Sequence, residues 1–231
     1  MPEPAVKDAP HYHVHRDRLR ERFISGGADA LADYELLELL LFMAIPRRDV
    51  KPLAKDLLKQ FGTLSGVLHA PFSALTQVSG VSENTAIALI AVGSAGQRML
   101  KQDMLAMPVL NSGARLMEYC RATLAHEPRE HFRLLFLNKK NELIADEIQQ
   151  SGTVDHTPAY PREVMKRALE LGATALILCH NHPSGDARPS QDDIAMTEAI
   201  IAAGKPLNIV IHDHIIVSKN GATSFRNAGL I

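Results

Sequence analysis

The stretch Ala175-Leu-Ile-Leu-Cys-His180-Asn-His182-Pro-Ser-Gly-Asp-Ala-Arg-Pro-Ser190-Gln-Asp-Asp193 decides how this chain is read. The apolar run 175–179 reads as a strand that ends in two histidines. Residues i and i+2 of a strand point to the same face, so the imidazoles of His180 and His182 converge on one point. Pro183, Gly185 and Pro189 turn the chain back, and Ser190 to Asp193 open a helix. Two histidines and one carboxylate, with a fourth position open to water, form a catalytic rather than a structural zinc arrangement. Neutral imidazole and carboxylate also suit zinc better than magnesium or calcium. Ser190-x-x-Asp193 is in addition a capping box, the serine accepting from the N3 amide and the aspartate reaching back. A strand, a His-x-His pair, a Pro-Ser-Gly loop and Ser-x-x-Asp, in that order, favour the metal reading.

The spacing His180-x-His182, seven residues, Ser190-x-x-Asp193 resembles the JAMM motif of the JAB/MPN metalloprotease superfamily. A longer string resembles the bacterial RadC family: Pro161-Arg-Glu-Val, His180-Asn-His-Pro-Ser-Gly-Asp, Pro189-Ser and Asp213-His-Ile-Ile. That resemblance runs from about Ala28 to Ile231. It implies a helical module at the front, a JAB/MPN-type domain with a curved mixed sheet, and zinc hydrolase chemistry.

Composition bounds the rest. The 231 residues, 46% hydrophobic, allow one large or two small domains with real cores. A net charge of −1 gives no overall field for nucleic acid or an anionic membrane. Cys120 and Cys179 lie in unrelated contexts and fit neither a disulfide framework nor a Cys-rich zinc site, which points to a reducing, cytoplasmic setting. The His- and Arg-rich N-terminus has no apolar core of a signal peptide. The richest apolar stretch, Leu36 to Ile45, is interrupted by Glu38 and falls short of the ~20 residues of a membrane span.

Three regions follow. Residues 1–27 read as a flexible arm. Residues 28–104 read as a helical, helix-hairpin-helix-like domain with helices near 33–44, 49–61, 64–70, 71–77 and 83–101, prolines 46, 52 and 71 standing at boundaries. Phe61-Gly-Thr-Leu and Leu75-Thr-Gln-Val-Ser-Gly-Val resemble the hairpin module of RadC proteins, a type that grips DNA phosphate through a Gly-x-Gly turn. Here the turn is Gly80-Val81-Ser82, and no Lys or Arg lies between Val81 and Gln97. Phosphate contacts supply most non-specific DNA affinity, so a structural or protein-docking role is expected, with weak DNA binding. After a linker around Met107, Pro108 and Asn111-Ser-Gly113, residues 105–231 read as an α+β catalytic domain. Its helices fall at about 112–125, 161–171 and 190–203, and its strands at 131–138, 142–149, 175 onward, 207–217 and 222–225.

The chemistry expected is that of one zinc per chain on His180, His182 and Asp193. The ion lowers the pKa of a bound water from ~15.7 towards ~7, and a carboxylate beside that water exchanges its proton. The JAB/MPN resemblance places this carboxylate at the start of an upstream strand, where Glu130 stands in Pro128-Arg-Glu130-His-Phe. Glu147 and Glu163 compete, mid-strand and one turn into a helix. Ser190 is expected both to cap the helix carrying Asp193 and to donate to a developing oxyanion. Asp186 and Asp192 are alternative carboxylates in solvated positions. His212-Asp213-His214 is a second His-x-His pair, read as supporting rather than ligating; the resemblance extends to Asp213-His214, which could orient a zinc-binding imidazole.

The function expected is a zinc-dependent hydrolase of amide, peptide or isopeptide bonds in a peptide or protein substrate. The alternative is a DNA-associated or protein-docking factor whose zinc fold is a scaffold. A zinc deaminase also uses an activated water and a glutamate, but its Pro-Cys-x-x-Cys element is missing.

Overall fold

The computed structural model describes residues 11–105, 108–109, 113–151 and 159–231, so most of the expected linker lies outside it. Contacts divide the chain into two units, 1–95 and 96–231. The division falls inside a helix, earlier than the 104/105 boundary expected from sequence.

The first unit is helical: α1 (His11–Gly26), α2 (Asp33–Ala44), α3 (Lys51–Phe61), α4 (Leu64–Leu68), α5 (Phe72–Thr76) and the start of α6 (Glu83–Leu105). Leu37 and Leu41 on α2, and Leu53 and Leu57 on α3, are buried at i, i+4 spacing, with Val67, Leu75 and Leu89 completing the core. α1 stands where a flexible arm is expected from residue 11 on. Leu19 is its buried apolar residue, and much of its attachment is polar. Arg16, 3% exposed, donates to the carbonyls of Ile45, Pro46 and Arg48 at 2.6, 2.8 and 2.6 Å. Its guanidinium lies 4.4 Å from the centre of the Phe42 ring. His15 meets the buried Glu38 carboxylate at 2.7 Å. Anchors of this kind leave no apolar period in the sequence, so an Arg-rich helix reads as an arm.

The second unit is an open five-stranded mixed sheet between helices. Its elements are α7 (Gly113–Leu124), β1 (His131–Leu137), β2 (Leu143–Ser151), α8 (Pro161–Glu170), β3 (Ala175–Asn181), α9 (Gln191–Gly204), β4 (Val210–Val217) and β5 (Ala222–Ser224). The strand order is β2-β1-β3-β4-β5. β3 and β4 are parallel, joined through α9, and the other pairs are antiparallel. Period-2 alternation sorts the side chains. Leu135, Leu137, Ile177, Cys179, Ile215 and Val217 pack with α7; Phe132, Leu134, Phe136, Leu176 and Leu178 pack with α8 and α9. β3 is buried along its whole length, which is why it reads as an unbroken apolar run. Cys120 on α7 and Cys179 on β3 do not lie in unrelated contexts: burial and a hydrogen bond to the Cys120 thiol push the Cys179 thiol up. Parity carries His180 and then His182 onto the α9 side, at the carboxyl end of β3, the usual place for a ligand site in an open α/β sheet.

Candidate metal centre

Three ligand atoms meet there. His180, His182 and Asp193 each bring one donor to within 4.8 Å of the others. The two Nε2 atoms are 2.9 Å apart. Asp193 Oδ1 is 3.1 Å from His180 Nε2, and Oδ2 is 3.5 Å from His182 Nε2. A tetrahedral ion with arms of ~2.0–2.1 Å sets ligand edges of about 3.3 Å, so this group is compact enough to hold a metal ion.

Each ligand is held by what lies behind it. His182 Nδ1 faces the Asp186 carbonyl at 2.8 Å. A carbonyl only accepts, so Nδ1 carries a hydrogen and Nε2 is the ring atom that faces the site. His180 is fully buried, its Nδ1 2.7 Å from His214 Nε2. Asp193 sits at N3 of α9 in a formed capping box. Ser190 Oγ and N–H donate to Oδ2 at 2.6 and 2.8 Å, and the Asp193 N–H donates to Ser190 Oγ at 3.1 Å. Asp193, Thr197, Ile200 and Gly204 are the buried residues of α9. Their 4-3-4 spacing makes one stripe, polar over the histidines and apolar beyond.

The charges reinforce one another. Burial acts to raise the Asp193 pKa, but hydrogen bonds from His180 and His182 outweigh it and hold the carboxyl far below the usual range. The Asp193 hydrogen bond raises the His182 pKa against burial, helped by the Asp186 carbonyl and by the Asp193 and Glu130 charges. Burial, and then the charge of His180, push His214 well down.

Glu130 therefore lies within electrostatic reach of His182. The β1–β3 register explains why. Phe132 pairs with His180, so two residues back along an antiparallel ladder Glu130 falls opposite His182, on the same face. Glu147 is turned elsewhere: Arg167 donates to its two oxygens at 2.6 and 2.9 Å and lowers its pKa. Glu163 is exposed beside Arg162. Asp192 is exposed, and the Asp186 side chain binds Arg188; Asp186 serves the site through its backbone carbonyl instead. His212 pairs with Asn141 at 2.8 Å, away from His214, so the second His-x-His pair does not converge. Sequence reading leaves out Asn181, between the two histidines, and Thr197, whose hydroxyl is 2.6 Å from His214 Nδ1. The one sign of Thr197 in the sequence is its i+4 spacing from Asp193.

An open sheet with a His-His-Asp group at the carboxyl end of an inner strand fits a metal-dependent hydrolase. Comparison with family models agrees. Residues 110–230 match the RadC-like JAB domain, and residues 12–87 match the UPF0758 N-terminal domain. The first match alone spans more than half of the chain. The chain belongs to the RadC family, with a JAB/MPN-type domain behind a helical one.

Proposed function

We propose that this chain is a zinc-dependent hydrolase of amide bonds in peptides or proteins, isopeptide bonds included, working in the cytoplasm. The observation that supports this most is the convergence of His180, His182 and Asp193 beside a carboxylate, Glu130, whose charge reaches His182. When bound, a divalent ion supplies Lewis acidity and a water acidified towards ~7. His180, His182 and Asp193 would hold the ion. Glu130 takes a proton from the attacking water and returns it to the leaving amine. The Ser190 hydroxyl, which rests on Asp193 Oδ2, would turn from that oxygen to donate to a developing oxyanion. Asn181 fixes the backbone that carries Glu130.

The test is to profile the zinc-loaded chain against peptide and isopeptide libraries beside Glu130→Gln. The variant keeps shape and hydrogen bonding but cannot take a proton. It retains zinc and thermal midpoint while losing about 10²–10⁴-fold in hydrolysis. A fully active Glu130→Gln with a dead Glu147→Gln would move the proton shuttle to Glu147. If neither change matters on any cleaved substrate, the hydrolytic reading fails.

A second reading, docking on DNA or protein through the helical unit, has one observation in its favour. Arg48 donates to the Gly80 carbonyl at 3.3 Å, which brings a cation to the hairpin turn although none lies between Val81 and Gln97.

A further inference from the structure

We infer that Ser218 and Asn220, on the turn between β4 and β5, are positioning residues of the candidate metal centre. Together they hold the Gly185 carbonyl, and through the next peptide the Asp186 carbonyl that sets the His182 ring. The inference rests on reading the site as a metal centre.

Hydrogen bonds tie the ligand loop to the neighbouring strand and turn. The His182 N–H donates to the Val217 carbonyl at 2.9 Å, one residue beyond the β3–β4 ladder. The Gly185 N–H returns to the His182 carbonyl at 3.1 Å and closes a turn over Pro183 and Ser184. The Gly185 carbonyl then meets Ser218 Oγ at 3.0 Å and Asn220 Nδ2 at 3.1 Å. A peptide unit is planar, so the grip on this oxygen fixes the plane from Gly185 to Asp186. The next carbonyl, that of Asp186, lies 2.8 Å from His182 Nδ1.

Ser218 is fully buried. Its oxygen accepts the amides of Asn220 and Gly221 at 3.3 and 3.2 Å, which leaves its one hydrogen to give. The Gly221 carbonyl, 3.3 Å away, already takes the Ser218 N–H at 2.8 Å; the Gly185 carbonyl is nearer. A carbonyl has two lone pairs, so either donor alone keeps Gly185 in place. The Asp186 side chain is held instead by Arg188, 87% exposed, and an exposed ion pair contributes little. The buried turn is therefore the firmer support of the loop.

Zinc affinity of the full chain, by competition with a chromophoric chelator, and the visible spectrum of its cobalt-loaded form test this. Melting of the metal-free samples checks folding. Ser218→Ala and Asn220→Ala are each expected to cost less than about threefold, and the pair about tenfold, since donors on one acceptor are not additive and loss of support behind a metal-bound histidine costs 10–100-fold. The cobalt spectrum should shift with the pair. Asn220→Asp, which sets an acceptor against the carbonyl, should bind zinc more weakly than Asn220→Ala. A double variant with lowered melting but wild-type zinc affinity and cobalt spectrum would overturn the inference, as would single losses that simply add. Should the double variant fail to fold, Asn220→Asp at its exposed position decides, and wild-type affinity there overturns the inference. The outcomes separate this inference from the hydrolase reading. A chain that shows the expected zinc losses and cleaves nothing sinks only the hydrolase; one that cleaves amides while its zinc affinity ignores the turn sinks only the positioning role. A wild type that binds no zinc sinks both.

Discussion

The Asn181 side chain grips the backbone next to His131: its oxygen accepts the His131 N–H at 2.8 Å, and its nitrogen donates to the Arg129 carbonyl at 2.9 Å and to that of Glu127 at 3.3 Å. Asn181 stands between the two histidine ligands of β3, and His131 follows Glu130. One side chain thus locks the carboxylate's strand to the ligands' strand.

Asn181→Ala should therefore separate binding from chemistry. Zinc content stays near wild type, since no ligand changes. Hydrolysis falls by up to about 10²-fold, the cost of a catalytic group misplaced by ~1 Å. Stability falls by about 1–3 kcal/mol because buried backbone groups lose their partners. Asn181→Asp keeps the acceptor for His131 but cannot donate to the carbonyls of Arg129 and Glu127. Metal analysis, turnover and melting on the same samples check this. Unchanged turnover in both variants would mean that Glu130 needs no such lock.

Gly185 holds the ligand loop in a backbone state that side chains resist. Its φ is +91°, and its carbonyl accepts from Ser218 Oγ and Asn220 Nδ2 at 3.0 and 3.1 Å. A Cβ there would lie 2.9 Å from Asn220 Nδ2. Gly185→Ala should cost about 1–2 kcal/mol, lower the melting midpoint by a few degrees, and weaken zinc binding by shifting the Asp186 carbonyl behind His182. A variant that melts and binds zinc like the wild type would contradict this.

Protons and zinc compete for His182. Its pKa is raised, mainly by the Asp193 hydrogen bond, so the folded metal-free chain holds that proton more tightly than the unfolded chain. The stability this contributes is complete below the unfolded value of ~6.5 and is lost as pH rises through the raised folded value. Zinc needs the same nitrogen bare, so its affinity runs the other way. It falls as pH drops through the raised value, starting above ~6.5. Calorimetry in buffers of different ionisation enthalpy should show a fraction of one proton released per zinc near pH 7, rising as pH falls. Zinc binding with no proton release would contradict the assignment.

The site was more legible in the sequence than its surroundings. His180, His182, Ser190 and Asp193 could be found because two short local rules, strand alternation and a capping box, put them on converging vectors. The strand and helix order of the second unit followed from the same alternation and from Pro161, Gly172 and Gly204. Other features depend on pairing between distant segments and leave no local period. The Phe132–His180 register that carries Glu130 to His182 is one. The approach of Cys120 to Cys179 is another, and so is the seating of α1 through Arg16 on the carbonyls of 45, 46 and 48. Thr197 lay on the correct helical stripe, but nothing in the sequence says that His214 would face it.

For DNA, weak binding to plain duplex at physiological salt is expected, with a shallow salt slope, because few cations stand ready to neutralise phosphates. Arg48 at the Gly80 turn is the residue to watch. Fluorescence anisotropy at two salt concentrations checks this. Sub-micromolar affinity abolished by changing Arg47, Arg48 or Lys51 would show that the helical unit is a DNA-binding module.

The central claim is that His180, His182 and Asp193 hold a single catalytic zinc, and elemental analysis of the purified full chain tests it most directly. The account predicts about one zinc per chain, lost in His180→Ala/His182→Ala, since one group of this kind is found among the described residues. Zinc retained undiminished in the double variant would contradict it.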